Sequence, residues 1–390
     1  MPVNVTLHAA MVGLLVFVSV TPCYGDNLFP EIPTKDLPIV KTIPSSGEIV
    51  LETRSYVLSG DPVYRGGKFE IEIAIFNLAD KSEAIWEIPS DIERSVNPTY
   101  AYSNNRASWA SKTRQLFFAN DKRAYLINED GSHQRLSLIM PGNLKPLDGM
   151  RDFSITEDGR FIAYGLYTRD EADKTPDPID PIAVKYGKFY RDLMYQDIDG
   201  SVPISIAGGQ TIYLGSYVVR PAWSPDGTKI AYVDKVDSLV VADVKGRILL
   251  SIGPFRSLSV EKKILEVKWS PDGKRLGFIV DEFHYGHRSK NRTTLYTTSA
   301  DGQDLKPLSI GGDNINVSTF AWSPSGKKIV FRSDYERKEI CNLNLMFFMQ
   351  TERSPCRKGE FLFTSDIDGS DLKRVSKEPD FRRSQLFWIR

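Results

Sequence analysis

The chain has 390 residues, and its 50 Lys and Arg residues are balanced by 50 Asp and Glu residues, so its formal net charge is zero. This balance excludes the strongly basic classes that bind nucleic acid through a cationic surface. Tyr and Phe dominate an aromatic content of 11%, a composition typical of strand-rich proteins.

Residues 1–25 predict a secretory signal peptide. An apolar run spans residues 9–20, and Cys23 and Gly25 provide small residues just before a cleavage site. A bilayer-spanning helix needs ~20 apolar residues, so we expect cleavage rather than a stable membrane span. Because no Lys or Arg precedes the apolar run, retention of the segment as an anchor stays open. The mature chain is expected in the periplasm or outside the cell.

Residues 26–47 form an N-terminal arm in which prolines recur, at positions 30, 33, 38 and 44. A proline-spaced chain is extended and poorly structured on its own. We interpret the arm either as a linker or as a segment that docks on a partner or in a channel of the folded protein.

Residues 220–234, with the sequence RPAWSPDGTKIAYVD, form a unit that recurs along the chain. The unit predicts two strands joined by a tight turn, because Pro presets φ, Asp hydrogen-bonds its own backbone and Gly accepts positive φ. Further copies, complete or degenerate, occupy residues 108–118, 153–164, 267–278, 320–331 and 386–390.

Each complete copy is followed by a second turn signal, of the D-x-D-G type or close to it, and by a further strand pair. A unit therefore has four strands, A to D, which is the content of one propeller blade. Residues 50–58, 69–78 and 83–88 predict strands B, C and D without a strand A, which residues 386–390 supply. The sequence therefore predicts an all-β fold, a six-bladed β-propeller of four-stranded blades over residues 48–390, closed by pairing its C-terminal strand with its N-terminal strands.

The tandem WSPDG-type hairpins, each followed by a D-x-D-G turn, resemble the WD-like repeats of the TolB-like propeller family over residues 48–390. The resemblance implies the propeller fold and a role of the Tol–Pal type, with a protein or peptide partner in the cell envelope. The same repeat type is similar to that of propellers attached to hydrolases. The α/β domain ahead of the TolB propeller has no counterpart in residues 26–47, so we expect a solo propeller.

Strands alternate in direction within a blade, so the A-to-B and C-to-D turns lie on one face, the turn face. The B-to-C and D-to-A loops lie on the other, the loop face, and hold nearly all irregular sequence, at residues 89–106, 167–190, 281–292 and 334–359. Recognition residues concentrate on loops held by a rigid scaffold, so we predict a binding face there. Tolerance of surface insertions is the alternative. The predicted partner-binding residues are Tyr100, Tyr102, Tyr167, Asp170, Asp173, Tyr186, Tyr190, Phe283, Tyr285, Tyr335 and Phe347.

Catalytic signatures are missing from the sequence, which contains no G-x-S-x-G, H-E-x-x-H or P-loop motif. Beyond the signal peptide, only His133, His284 and His287 provide imidazoles. We therefore predict no catalytic residues and no cofactor. His284 and His287, with Asp281 nearby, are the candidates for a divalent metal site, and solvated or partner-contacting side chains are the alternative.

Strand A carries a large residue at one fixed position in most blades, namely Trp109, Trp223, Trp269, Trp322 and Trp388. Blade two has Ile155 at this position, which favours packing between blades over stacking on a carbohydrate. Trp86 lies outside the pattern, and either role stays open for it.

Cys341 and Cys356 lie in the insertion between strands B and C of blade five. An oxidising compartment favours a disulfide between them, which stabilises the folded state by ~3 kcal/mol in the loop-entropy picture. Two unpaired thiols are the alternative.

Together these observations favour a secreted or periplasmic binding module over an enzyme. We expect a monomer that holds a protein or peptide partner on the loop face and binds no nucleic acid. The alternative is a propeller enzyme that acts on a glycan or peptide, metal-assisted through His284 and His287.

Overall fold

A computed structural model describes residues 37–59, 68–92, 95–96, 107–120, 123–138, 150–169, 189–198, 204–205, 210–212, 220–234, 237–253, 260–284, 292–308, 316–334, 339–341, 356–358, 360–377 and 383–390. This described part of the chain is all-β, with strands β1 to β29 and no helix. Within it, nothing has the length and apolar character of a membrane-crossing helix.

Six sheets contain four strands or more, and a further sheet contains two. We call the sheet that joins both ends of the chain the closing sheet and number the other large sheets in chain order. The closing sheet contains β1 (Ile39–Val40), β2 (Ile49–Ser59), β3 (Lys68–Asn77), β4 (Ser82–Trp86), β5 (Ser95–Val96) and, from the other end of the chain, β29 (Arg383–Trp388).

Sheets 1 to 3 follow the closing sheet in the chain. Sheet 1 contains β6 (Ala107–Ala110), β7 (Gln115–Ala119), β8 (Ala124–Asn128) and β9 (His133–Leu136). Sheet 2 contains β10 (Met150–Ile155), β11 (Phe161–Arg169), β12 (Phe189–Asp197), β13 (Ile204–Ser205) and β14 (Gln210–Ile212). Sheet 3 contains β15 (Ala222–Trp223), β16 (Lys229–Val233), β17 (Leu239–Asp243) and β18 (Ile248–Ile252).

Sheets 4 and 5 complete the set. Sheet 4 contains β19 (Val260–Trp269), β20 (Arg275–His284), β21 (Arg292–Ser299) and β22 (Lys306–Pro307). Sheet 5 contains β23 (Val317–Trp322), β24 (Lys328–Ser333), β27 (Phe361–Asp366) and β28 (Lys373–Arg374). The two-stranded sheet, formed by β25 (Glu339–Cys341) and β26 (Cys356–Lys358), lies between β24 and β27 in the chain.

The repeated turn sequence explains why the sheets begin with a tight hairpin. In sheet 3, the Ser224 hydroxyl donates a hydrogen bond to the Asp226 carboxylate at 2.5 Å, and the Thr228 amide donates to the same oxygen at 3.1 Å. Gly227 has a φ of 67°, which glycine adopts without strain, and its amide donates to the Ser224 carbonyl at 2.9 Å. The turn therefore satisfies its own polar groups.

The hydrophobic cores lie between neighbouring sheets. The closing sheet packs against sheet 1, sheet 1 against sheet 2, and sheet 2 against sheet 3. Sheet 3 then packs against sheet 4, sheet 4 against sheet 5, and sheet 5 against the closing sheet. Sheets of antiparallel strands that pack in a closed circuit make a β-propeller, so the predicted fold class is confirmed at this level.

The two ends of the chain meet in the closing sheet, as predicted. β2 pairs antiparallel with β29, from Val50 opposite Trp388 to Ser55 opposite Arg383. The long antiparallel register between β2 and β3 then continues the sheet towards β4. Strand A of this sheet therefore comes from the last residues of the chain, and strands B to D come from the first ones.

The second half of the arm, residues 37–47, is docked on the outside of the closing sheet. β1 runs parallel to β4, and the Ile85 amide donates to the Pro38 carbonyl at 2.9 Å. The indole of Trp86 donates to the Lys41 carbonyl at 3.2 Å, and Ile43 is buried between the closing sheet and sheet 1. Residues 37–47 therefore cover the outer edge of β4 and fill an apolar gap between the closing sheet and sheet 1. They are neither a free linker nor a channel segment. Residues 26–36 lie outside the described part.

The strand A tryptophans pack between sheets, as predicted. The indole of Trp269 donates to the Ala222 carbonyl at 3.0 Å, and that of Trp322 donates to the Lys268 carbonyl at 3.3 Å, in each case one sheet earlier. Ile155 is buried in the core between sheets 1 and 2. Trp86 is also a packing residue, since it is 1% exposed in the core beside sheet 1.

The predicted boundaries of two insertions, residues 167–190 and 281–292, were wrong because the flanking strands are longer. β11 continues to Arg169 and β12 begins at Phe189, so Tyr167 and Tyr190 belong to paired strands. β20 continues to His284, and Asp281 pairs with Lys263 and Thr293. Backbone pairing with the neighbouring strands extends β11, β12 and β20 beyond the predicted ends. The B-to-C connections of sheets 2 and 4 therefore span residues 170–188 and 285–291.

Candidate functional site

The two faces of the propeller differ in how the strands are connected. On the turn face, successive A-to-B turns lie against one another, with Gly273 against Pro225 and Gly326 against Pro271. On the loop face, the B-to-C connections range from residues 120–123 in sheet 1 to residues 334–360 in sheet 5, which include the β25–β26 hairpin. The loop face therefore holds the longest non-repeated segments.

A polar cluster lies where the strands of sheet 5 reach the loop face. We call Asn316, Ser318, Asp334 and Glu360 the loop-end cluster. The Ser318 hydroxyl donates to the Glu360 carboxylate at 2.5 Å, and the Asn316 side-chain amide donates to the Asp334 carboxylate at 2.9 Å. The Thr293 amide of sheet 4 donates to the Asn316 side-chain oxygen at 3.0 Å. The ends of strands A, B and C are thus cross-linked by side chains.

Glu360 has the most unusual acidity in the cluster. Burial raises the pKa of Glu360 from an ordinary 4.5 to about 7, against the lowering effect of the Ser318 hydrogen bond and the Arg332 charge. The nearby Asp334 and Glu52 carboxylates raise it further. Part of the Glu360 side chain stays exposed. A carboxyl group with this pKa exchanges its proton near neutral pH, as a general acid or base does.

Beneath the cluster, two buried arginines share one buried carboxylate. Arg332 makes two hydrogen bonds to Glu52, at 2.7 and 2.6 Å, and Arg54 makes a third at 2.7 Å. Arg332 also donates to the Glu360 carbonyl at 3.1 Å, and both guanidinium groups lie over the Phe76 ring. The cluster is therefore anchored to strands of both sheet 5 and the closing sheet.

A second charged group lies at the loop-face end of sheet 4. Glu282 is 2% exposed and accepts contacts from Lys262 Nζ at 2.6 Å and Arg292 Nε at 2.7 Å. Burial alone would raise the pKa of Glu282, but the hydrogen bonds and charges of Lys262 and Arg292 hold it below its usual value. Arg292 is 54% exposed, so this end of sheet 4 presents positive charge beside the acidic loop-end cluster.

The metal site predicted at His284, His287 and Asp281 remains a prediction. His284 and Asp281 are strand residues of β20, and His287 lies outside the described part. Their neighbour Glu282 is already held by two cations. Among the described residues, no group of three His, Cys, Asp or Glu side chains is arranged to hold a metal ion.

The partner-binding role of all the predicted residues remains a prediction. The residues outside the described part are Tyr100, Tyr102, Asp170, Asp173, Tyr186, Tyr285, Tyr335 and Phe347. Tyr167, Tyr190 and Phe283 lie in strands that reach the loop face.

The loop-end cluster was not predicted from the sequence. Asp334 directly follows strand β24 and Glu360 directly precedes strand β27. The sequence signal that could have indicated this cluster is a polar residue at each junction between a repeated strand and an insertion.

Among known proteins, similarity to this chain was found in solved structures. No protein-family model and no curated protein matches the chain. An oligogalacturonate lyase from Vibrio parahaemolyticus is 12% identical over 87% of this chain and 84% of its own, with a TM-score of 0.45. The tricorn protease is 12% identical over 83% of this chain and 30% of its own, with a TM-score of 0.43.

An acylaminoacyl peptidase from Pyrococcus horikoshii is 14% identical over 84% of this chain and 44% of its own, with a TM-score of 0.44. At this level of identity the likeness shows no activity of this chain, and its β-propeller fold follows from its own strand pairing.

Proposed function

We propose that this chain is an exported binding module, a six-bladed TolB-like propeller that holds a protein or peptide on its loop face. The six large sheets then correspond to six blades, and the closing sheet to the blade shared by both chain ends. The single observation that carries the proposal is the concentration of long, non-repeated connections on one face. Such connections on a rigid scaffold are where recognition residues concentrate.

The charges at the loop face support a polar partner. The loop-end cluster contributes the Asp334 and Glu360 carboxyl groups, and sheet 4 contributes Arg292 and Lys262 beside it. Polar and charged groups of both kinds at short range orient a polar peptide, and the exposed Arg292 cation raises the association rate of an acidic one at low salt.

Site-specific photo-crosslinking tests the binding face. A crosslinker placed at exposed Ser318 on the loop face is compared with one at exposed Lys274 on the turn face, in cells that make the full chain. We expect a discrete crosslinked product from position 318 and none from position 274. Equal products from both positions, or a product from position 274 alone, would contradict a binding role for the loop face.

Catalysis is the second candidate function, and Glu360 is the observation that favours it. Its pKa of about 7, its partly exposed side chain and its Ser318 partner fit a general acid or base. The substrate class is a glycan or a peptide. A turnover assay on acidic glycans, neutral glycans and peptides tests this candidate with Glu360→Gln and, as control, Asp301→Asn on the turn face.

If the chain is an enzyme, Glu360→Gln lowers kcat by 10²-fold or more, on the order of a lost general acid, and Asp301→Asn leaves it unchanged. Activity that survives Glu360→Gln removes this residue from the chemistry. No turnover on any of the three substrate classes, together with loop-face crosslinks, leaves the binding module as the function.

We further propose export with loss of residues 1–25 and a monomeric mature chain. N-terminal sequencing of the secreted or periplasmic protein is expected to begin at Asp26, and light scattering to give the mass of one chain. An N-terminus at Met1 in a membrane fraction would instead mean that the segment is kept as an anchor.

A further inference from the structure

The insertion in sheet 5 forms a small sheet of its own. β25 and β26 pair antiparallel, from Glu339 opposite Lys358 to Cys341 opposite Cys356. Within the described residues, neither strand pairs with one of the larger sheets. The insertion starts at Asp334 and ends at Glu360, so both of its ends are attached to the loop-end cluster.

A hairpin of this size needs an additional source of stability. Two isolated strands are marginally stable at best in water. Each ordered residue loses conformational entropy, and the few backbone hydrogen bonds between β25 and β26 exchange readily with water.

The backbone register supplies the geometry for a covalent link. Cys341 lies directly opposite Cys356, in the residue pair next to the connecting loop. Directly opposite residues of an antiparallel pair have Cα atoms roughly 4.5 or 5.5 Å apart, depending on the kind of pair. A disulfide requires about 4.4–6.8 Å between Cα atoms, so either kind of pair accepts the bond without backbone movement.

We propose that Cys341 and Cys356 form a cross-strand disulfide, and that this bond makes the β25–β26 hairpin a redox-dependent element of the loop face. On closure the two thiols lose two protons and two electrons. An external disulfide such as oxidised glutathione accepts them and is reduced to two thiols. Reduction releases the hairpin and leaves the large sheets in place, because their ladders do not include β25 or β26. The inference does not depend on what the loop face binds.

Peptide mapping tests the link itself. The full chain is incubated with oxidised glutathione and digested without reductant. We expect one linked pair of peptides, containing Cys341 and Cys356, that reduction separates and that Cys341→Ser abolishes. The Cys23→Ser variant serves as control and should give the same link. Free thiols at both positions, or a link from either one to Cys23, would overturn the proposal.

Hydrogen exchange tests the redox dependence. Reduction, or the double variant Cys341→Ser/Cys356→Ser, is expected to speed amide exchange in β25 and β26 at least about tenfold. Exchange in β24 and β27 should stay unchanged. Equal exchange of the hairpin in both redox states means that the disulfide does not hold it. Accelerated exchange in β24 and β27 would show that the bond supports the blade instead, which contradicts a separate switchable element.

Discussion

Asp272 on the turn face and Glu360 on the loop face have pKa values shifted in opposite directions. On the turn face, the Ser270 hydroxyl donates to Asp272 at 2.6 Å and, with the Lys274 amide, holds the pKa of Asp272 below its usual value. On the loop face, burial raises the pKa of Glu360. The turn aspartates are predictable, because their partners lie two residues away in a repeated motif. Glu360 is not, because its environment comes from residues distant in the chain.

The raised pKa of Glu360 predicts how stability depends on pH. The folded state holds the Glu360 proton up to about pH 7, whereas the unfolded chain releases it near 4.5. The stabilisation is therefore fully present below pH 4.5 and is lost as pH rises to 7. In Glu360→Gln we expect this loss, on the order of 3 kcal/mol, to disappear.

Urea unfolding at several pH values measures this effect, with Ser318→Ala as control. Ser318→Ala removes a hydrogen bond that lowers the pKa of Glu360, so the loss of stability should move to higher pH. The same pH dependence in the wild type and in Glu360→Gln would assign the titration to another group.

The turn aspartates predict the opposite dependence. Because the pKa of Asp272 is lowered, its stabilising effect is present above the ordinary value of 3.8 and is lost as pH falls. We expect Asp272→Ala to lower the free energy of unfolding by about 0.5–1 kcal/mol at neutral pH. Thermal unfolding at neutral and acidic pH measures the difference between the two proteins.

The chain offers a matched control for this substitution, because Ser325 occupies the same turn position in sheet 5 and lies 3.1 Å from the Ser323 hydroxyl. Asp272→Ser should therefore keep most of the turn stability and lose its pH dependence. A loss as large as that of Asp272→Ala would mean that a serine hydroxyl cannot replace the carboxylate in this turn.

At the scale of elements, the repeated hairpins could be predicted and the docked arm could not. The S-P-D-G turns encode strands A and B locally, and their spacing gives the blade. The position of β1 depends on a free edge of β4 and on an apolar gap beside sheet 1, which exist only in the folded protein. Near the end of β20, Glu282 likewise contacts Lys262 and Arg292 from the two neighbouring strands, and this pairing is not encoded by a local motif.

The docked arm predicts an unequal effect of two isoleucines. Ile43 is 1% exposed and Ile39 is 69% exposed, although both belong to the same segment. Ile43→Ala should lower the free energy of unfolding by about 2–4 kcal/mol, because it leaves a cavity between the closing sheet and sheet 1. Ile39→Ala should change it by less than about 0.5 kcal/mol. Urea unfolding of the two variants provides the comparison, and a neutral Ile43→Ala would mean that the arm is not part of the folded core.

At the scale of the whole molecule, a buried ionic group connects the beginning of the chain to sheet 5. Glu52 is fully buried and accepts hydrogen bonds from Arg54 and from Arg332, 280 residues away. No sequence pattern predicts this pairing, since each partner occupies a strand position that is apolar in most amphipathic strands. The closed ring itself was predictable, because an unmatched strand A and an unmatched set of strands B to D complete each other.

Removing the shared carboxylate should destabilise the ring strongly. Glu52→Gln leaves two buried guanidinium groups without their common anion, so we expect a loss of about 3–5 kcal/mol. The exposed Lys328–Asp371 ion pair on the turn face is the control, and Lys328→Ala should cost less than about 1 kcal/mol. Chemical unfolding of both variants measures the contrast, and similar small losses would mean that water replaces the Glu52 contacts.

The closing sheet also determines the order in which the protein can mature. β2, β3 and β4 leave the ribosome before their partner β29, so the closing sheet cannot be completed until sheets 1 to 5 have been synthesised. Until then β2 has an unpaired edge and apolar side chains that invite wrong pairing. Wrong pairing at this edge therefore competes with ring closure until β29 is available, so the closing sheet is the part of the fold that forms late.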